Sequence, residues 1–421
     1  MTVDMLRKLL VLTSLLGIFF ADSIATVNAA DDALVIRKQG RNCGEDPNCI
    51  NRLHHELPMT LHARPGQTIV FETRNTTDFP LDPALNTTDP RSAAAPGSTV
   101  HPLTGPVYIE GARAGDTLAV SILDVLPGDY GVTLILPLGM LADLFPAQRY
   151  QLTWTLGERW ATSAALPGIR IPRAGFPGIV TVLPDASLTR GILERERKLA
   201  EAGAQVSLPE PANAYPDALC GPAGSKRDEC LRTAPPREHG GNFDIRYLGA
   251  GATLYLPCRV DGCGLAIGDV HYAQGDGEVS GTAIEMDANV VVRTEIVRDR
   301  RLRHGAHYEG DASLLAIPSS RFYATTGFPI KAGGEVPADL RYLESAKIAG
   351  LENLSKDIGL AAHNALSEML DYLVEQKGLT REQAYIVMSV AVDLRIGQVV
   401  DAPNVVVSAI LPLDIFVAEA P

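Results

Sequence analysis

Short runs in which apolar and polar residues alternate fill the first two-thirds of the chain. "QTIVFET", "PVYIEG" and "DTLAVSILDV" are each bounded by Pro, Gly or Asp. Their period of two places successive side chains on opposite faces of a strand, so they predict sheet joined by hairpins rather than by crossover helices. "IRIPRAGFPGIVTVLP" continues the pattern with so many prolines that several of its strands are expected at sheet edges or in loops, because proline cannot donate to a ladder. The pattern resumes at "GATLYLPCRV", and Asp261-Gly262 predicts a hairpin turn into "GLAIGDVHYA". Helical spacing appears late. "LSKDIGLAAHNALSEMLDYLVEQKG" puts Leu366, Met369, Leu370, Leu373 and Val374 on one face and stops at Gly378, and Thr380 with Gln383 forms a capping box for "REQAYIVMSVAVDL". The predicted fold is mainly β (α+β), with sandwich- or barrel-like sheets and a C-terminal helical layer.

The character changes between Thr189 and Glu238, where the charged run "RERKLAEAG" precedes "LPEPANAYP". This stretch reads as a surface excursion, either a lid or a plain linker. The expected division is a signal peptide over 1–29, a β-rich segment over 30–200, the excursion over 201–238, a β-rich active-site region over 239–330 and an α+β segment over 331–421. "VVVSAILPLDIF" is a long apolar strand expected to end a sheet or bridge subunits of a homo-oligomer, most simply a dimer.

Composition narrows the partners. With 421 residues, 46% hydrophobic and 21% charged, the chain is ordinary globular protein. Its net charge of −13 argues against a nucleic-acid partner, which needs a concentrated basic field. Arg7 and Lys8 precede the apolar run Leu9 to Phe20 and the small residues of "ATVNAA", the order of a secretory signal with cleavage after Ala29. After its removal no membrane partner is expected, and the location is secreted or periplasmic. Six cysteines fall in three close pairs, Cys43 with Cys49, Cys220 with Cys230 and Cys258 with Cys263. Export favours disulfides, although six cysteines permit fifteen connectivities and a zinc-thiolate cluster is the rival reading.

Candidate chemistry gathers in "GDVHYAQGDGE", residues Gly268 to Glu278. Asp269 and His271 stand two apart, so on a strand they share a face. Carboxylate oxygen and imidazole nitrogen suit a hard or borderline divalent cation, and catalytic sites commonly take three such ligands plus water. Asp244, in the Gly-rich "EHGGNFDI", is a natural third ligand. Glu278 or Asp276 then remains to move a proton. His304 and His307, in "RHGAHYEG", read as surface-loop residues.

Longer motifs carry a resemblance. "PPREHGGNFDI", "LAIGDVHYAQGDGEVSGTAIEM" and "AYIVMSVAVDLRIGQVVDAPNVVVSAILP" resemble the acetamidase/formamidase family, whose members hydrolyse small amides to a carboxylate and ammonia. "NRLHHELP" and "TGPVYIEGARAGDTLAV" agree with it, so the resemblance runs from about Asn51 to Phe416. It implies a β-rich fold and metal-assisted hydrolysis of a small amide. His54, Asp244, Asp269 and His271 fall at motif positions and become the expected ligands of a divalent metal, zinc the first candidate. Glu278 is the expected base, with Asp276 and His239 as further catalytic candidates. Gly241, Asn242 and Gln274 are the expected substrate contacts, the Gly240 to Asn242 backbone helping to hold an oxyanion. Leu53 and His55 replace the family's Trp and Pro, Ser280 stands where many relatives have Cys, and Cys258 and Cys263 replace apolar residues. The competing reading is a secreted binding protein that keeps the fold without the chemistry.

Overall fold

The computed structural model describes residues 33–78, 98–137, 139–145, 150–204, 206–302, 305–331, 345–350, 356–400 and 404–417. The apolar run Leu9 to Phe20, the cleavage site after Ala29 and His304 lie outside the described residues. Among those described, no helix is long and apolar enough to cross a membrane.

The chain is mainly β. Among the described residues, a branched sheet of fifteen strands draws on residues from Leu34 to Glu309, beside a two-stranded and a three-stranded sheet. The alternating runs form strands as their periodicity predicts, over Thr68–Thr73, Leu103–Ile109 and Thr117–Ile135. One strand organises the site. Cys263–His271 is buried at every residue and pairs with Leu103–Ile109, Phe176–Thr181 and the start of Glu285–Val297. With partners on both sides it reads as an almost continuous small and apolar run, broken only at Asp269 and His271.

Several expectations are corrected. Asp261-Gly262 does not make a hairpin, because Thr253–Pro257 pairs with Thr117–Ile135 and His307–Glu309 instead. The Pro-rich stretch gives the expected edge strand, Arg170–Pro172 at one end of the sheet, but also an interior strand, Phe176–Thr181, lying between Cys263–His271 and Gly240–Asn242. Pro177 is tolerated since Gly240–Asn242 pairs only with Ile179 to Thr181, which leaves the proline with a neighbour on one side. The charged run belongs to a sixteen-residue helix, Ala186–Glu201, capped by the Asp185 side chain. Its buried face, Thr189, Ile192, Leu193 and Glu196, has helical spacing that the surrounding charges disguise. Val406–Pro412 is the middle strand of the three-stranded sheet, not an edge.

The C-terminal helices form where predicted. Ile358–Lys377 ends at Gly378, whose φ of 67° gives the left-handed C-cap, and Arg381–Ala391 carries the Thr380/Gln383 capping box. The first covers the three-stranded sheet, and the second packs against the first and against Thr117–Ile135. The three nearest-neighbour disulfides form and leave no free cysteine, so the thiolate-cluster reading falls. Their loops are short, and each bridge contributes about 2–3 kcal/mol on loop-closure grounds.

The excursion is tied down from below. Arg52 is fully buried, and its guanidinium donates to the carbonyls of Asn51, Ser98, Glu210 and Ala212. Asn51 adds bonds to Thr99 and Asn213 and accepts from the Tyr215 N–H. The "NR" of the N-terminal motif is therefore a structural staple. Arg52→Met should lower unfolding stability by about 3 kcal/mol or more, since each abandoned buried acceptor costs roughly 1–3 kcal/mol. A urea midpoint within error of the parent would count against that role.

Candidate active site

Four chain segments meet beneath Phe176–Thr181. His271 lies opposite Phe176 on one side and opposite Glu285 on the other. Its Nε2 is 3.2 Å from Glu285 Oε2, 3.7 Å from Asp269 Oδ1 and 4.0 Å from Asp244 Oδ1. Two sets of groups able to hold a metal overlap here, Asp244 with His271 and Glu278, and Asp269 with His271 and Glu285, each with donor atoms within 4.8 Å of one another. Asp244 lies two residues beyond the strand Gly240–Asn242 and is held by Gln274, whose Nε2 donates to the Asp244 carbonyl at 2.8 Å. His101 closes the far side, its Nε2 3.8 Å from Asp269 Oδ2.

The backbone is bent to achieve this. Asp244, Asp269 and Glu278 have φ of 48°, 53° and 45°, a region that side chains with a Cβ enter at a cost and that gathers at functional sites. Gly178, on the strand facing the cluster, leaves the necessary room. A Cβ there would lie 2.5 Å from Asp244 Oδ1, 2.9 Å from the Asp269 carbonyl and 2.9 Å from His271 Cε1.

The electrostatics are those of crowded carboxylates out of water. Burial, then the Asp269 charge, pushes Asp244 up to about 7. Glu278 is held well above the usual carboxylate range, by burial first and Asp244 second, and burial also raises Glu285. Burial alone would raise Asp269 too, but His101 and His271 outweigh it and hold that carboxyl low. Burial opposes charge on His271, yet Glu285 and Asp269 raise it well above an ordinary imidazole. Asp244 Oδ1, Glu285 Oε2 and both ring nitrogens of His271 are buried without a hydrogen-bond partner. Unsatisfied polar atoms of this kind are costly, and oxygen and imidazole donors facing one point match the preferences of a divalent cation.

Of the residues expected from sequence, Asp244, Asp269, His271 and Glu278 are brought together. His54 sits in a different group with His55 and Glu56, its Nε2 3.8 Å from Glu229 Oε2. Its Nδ1 accepts from the Glu56 N–H, and its Nε2 is buried without a hydrogen-bond partner. Asp276 lies outside the cluster and binds the Tyr247 hydroxyl, while its N–H donates to Asp393, the partner of Arg246. His239 donates from Nδ1 to the Val182 carbonyl at 2.8 Å, leaving a buried, unpartnered Nε2, and burial lowers its pKa to about 4. Gly240 to Asn242 is a strand, not a turn. The Gly240 N–H is already given to Arg237, and Gly241, with φ of 128°, pairs with Val180. Asn242 Oδ1 and Gln274 Oε1 are buried acceptors without partners. His307 is exposed on a short strand.

Sequence reading missed Glu285, His101 and Gly178. Glu285 stands in the quoted "GTAIEM" motif, but only strand pairing sets it against His271. The wider clefts lie elsewhere. One of about 540 Å³ is lined by Trp160, Arg173 and Arg246, and another of about 550 Å³ by Tyr323, Phe328 and Asn364. Neither brings together a group of residues able to hold a metal among the described residues, so the enclosed cluster is the stronger candidate for chemistry.

Comparison with known proteins identifies the family. The chain is 29% identical over 388 residues to a formamidase of Methylophilus methylotrophus, covering 88% of this chain and 90% of the relative. It is 28% identical to an acetamidase of Mycolicibacterium smegmatis, covering 80% and 84%. Its fold superimposes on a gamma lactamase from Delftia acidovorans with a TM-score of 0.79 at 27% identity, covering 91% of this chain and 93% of that one. The sequence profile of the Acetamidase/Formamidase family matches residues 37–418, and the chain therefore belongs to that family, as an amidase hydrolysing non-peptide C–N bonds.

Proposed function

We propose that the protein is an exported hydrolase that cleaves small linear amides, formamide- or acetamide-like, to a carboxylate and ammonia at a divalent-cation site formed by Asp244, Asp269, His271 and Glu285. The carrying observation is the convergence of three unpartnered or weakly partnered carboxylates on one buried imidazole nitrogen. A divalent cation, zinc the first candidate, supplies Lewis acidity toward the amide oxygen and lowers the pKa of an attacking water. Glu278, only partly buried at the rim, takes the proton from that water and hands it to the departing nitrogen. Asn242 Oδ1 and Gln274 Oε1 accept the N–H bonds of the substrate. Enclosure of Asp269, His271 and Glu285 favours small substrates. Three closed disulfides support a secreted or periplasmic location.

Ammonia release from a panel of short amides by purified protein is the direct test. Turnover should vanish on treatment with a strong chelator and return with one of the divalent ions. Turnover that is indifferent to chelation in protein free of metal would remove the cation from the mechanism, and no turnover with any amide would favour a binding role.

A further inference from the structure

The helix Arg381–Ala391 lies outside the cluster, yet together with the segment Leu134 to Met140 it holds the loop carrying Glu278. Four of the helix's hydrogen bonds land on that loop. The Tyr385 hydroxyl donates to the carbonyl of Val279, the residue after Glu278, while accepting from the Leu141 N–H at 2.8 Å. The Ser389 hydroxyl donates to the Thr282 carbonyl at 2.7 Å and accepts from the Ser280 N–H at 3.1 Å. The Ser389 carbonyl in turn accepts from the Gly275 N–H at 2.9 Å. The segment after the helix continues the grip, since the Leu394 N–H donates to the Asp276 carbonyl at 3.3 Å.

We infer that Tyr385 and Ser389 are positioning residues for the reaction: they act through the 275–282 loop to set the carboxylate of Glu278 against the cluster. Both are fully buried, and both use hydroxyls that an apolar core has no need of. Glu278 has a φ of 45°, a backbone state that persists only when its surroundings impose it. A clamp bonded on both sides of that residue, at Gly275 and at Val279 to Thr282, is such an imposition. The inference rests on the reading of Glu278 as the base.

The decisive variants are Tyr385→Phe and Ser389→Ala. Phenylalanine preserves the ring stacked on Phe145 at 4.6 Å and removes only the two hydrogen bonds. Each variant should lose about 10- to 100-fold in kcat, the scale on which small misplacements of a catalytic group act, with KM and bound metal unchanged. Combined with Glu278→Gln, either change should add almost nothing, because the group it positions is already disabled. A merely structural role would lower the melting temperature and leave kcat per folded molecule intact, and a kcat loss that adds in full in the Glu278→Gln background would act elsewhere than on Glu278; either kcat result overturns the inference. A slow Glu278→Gln beside a fully active Tyr385→Phe rejects the clamp and keeps the base. A fully active Glu278→Gln rejects the base itself.

Discussion

Glu278→Gln should bind its cation as the parent does and turn over amide about 10²–10⁴-fold more slowly, the usual worth of a positioned general base. Glutamine is nearly isosteric with glutamate, so the loop and its contacts to helix Arg381–Ala391 are kept while the basic oxygen is lost. His271→Ala and Asp269→Ala should behave differently, losing metal and activity together. Asp269 and His271 both supply a donor atom to the cluster, and removing His271 also leaves the buried carboxylates with less to compensate them. Metal content, thermal melts and turnover measured on the same preparations separate the roles. Loss of metal in Glu278→Gln would make that residue a ligand, as its proximity to Asp244 and His271 permits. Three variants that melt early yet keep the activity of their folded fraction would reduce the whole cluster to a set of turn formers.

Gly178→Ala should be nearly as damaging, although it removes no functional group. The new methyl would stand 2.5 Å from Asp244 Oδ1 and 2.9 Å from the Asp269 carbonyl. The carbonyl belongs to a strand paired on both sides and has little freedom to retreat, so the Asp244 side chain must swing away. Overpacking of this kind costs about 1–3 kcal/mol in stability. Displacement of a ligand by about 1 Å is enough to lose on the order of 10² in rate. The expected signature is weaker metal retention and turnover reduced by that factor, in protein whose melting point falls only modestly. An unimpaired Gly178→Ala enzyme would show that Asp244 is dispensable in its present position.

Much of this protein is legible along the chain because its signals are local. Strand alternation in "QTIVFET" and "DTLAVSILDV", the stripe Leu366 to Leu373 with its Gly378 stop, and the Thr380/Gln383 box each depend on residues a few places apart, and each forms as read. Nearest-neighbour disulfides are local in the same sense. Motif resemblance reached the family, and donor chemistry with strand spacing pointed to Asp244, Asp269, His271 and Glu278, which the fold brings close together. Where a local signal was masked by another, as charge masked the buried face of Ala186–Glu201, the reading failed. It failed again where a turn dipeptide at Asp261-Gly262 was taken to imply pairing, since a turn reverses the chain without choosing its partner.

What only the tertiary structure decided is which distant groups face one another. Glu285 becomes a neighbour of His271 through the register of two antiparallel strands. His101 reaches Asp269 from 168 positions away in number, and Gly178 matters only because the strand bearing it lies over the cluster. His54 falls in a separate group with His55 and Glu56, and Tyr385 and Ser389 gained a role by docking against the loop of Glu278. Periodicity and propensity report how each residue relates to its own element. Ligand geometry is a relation among elements, set by sheet register and by the packing of helices on it, and neither is written in any one stretch of sequence.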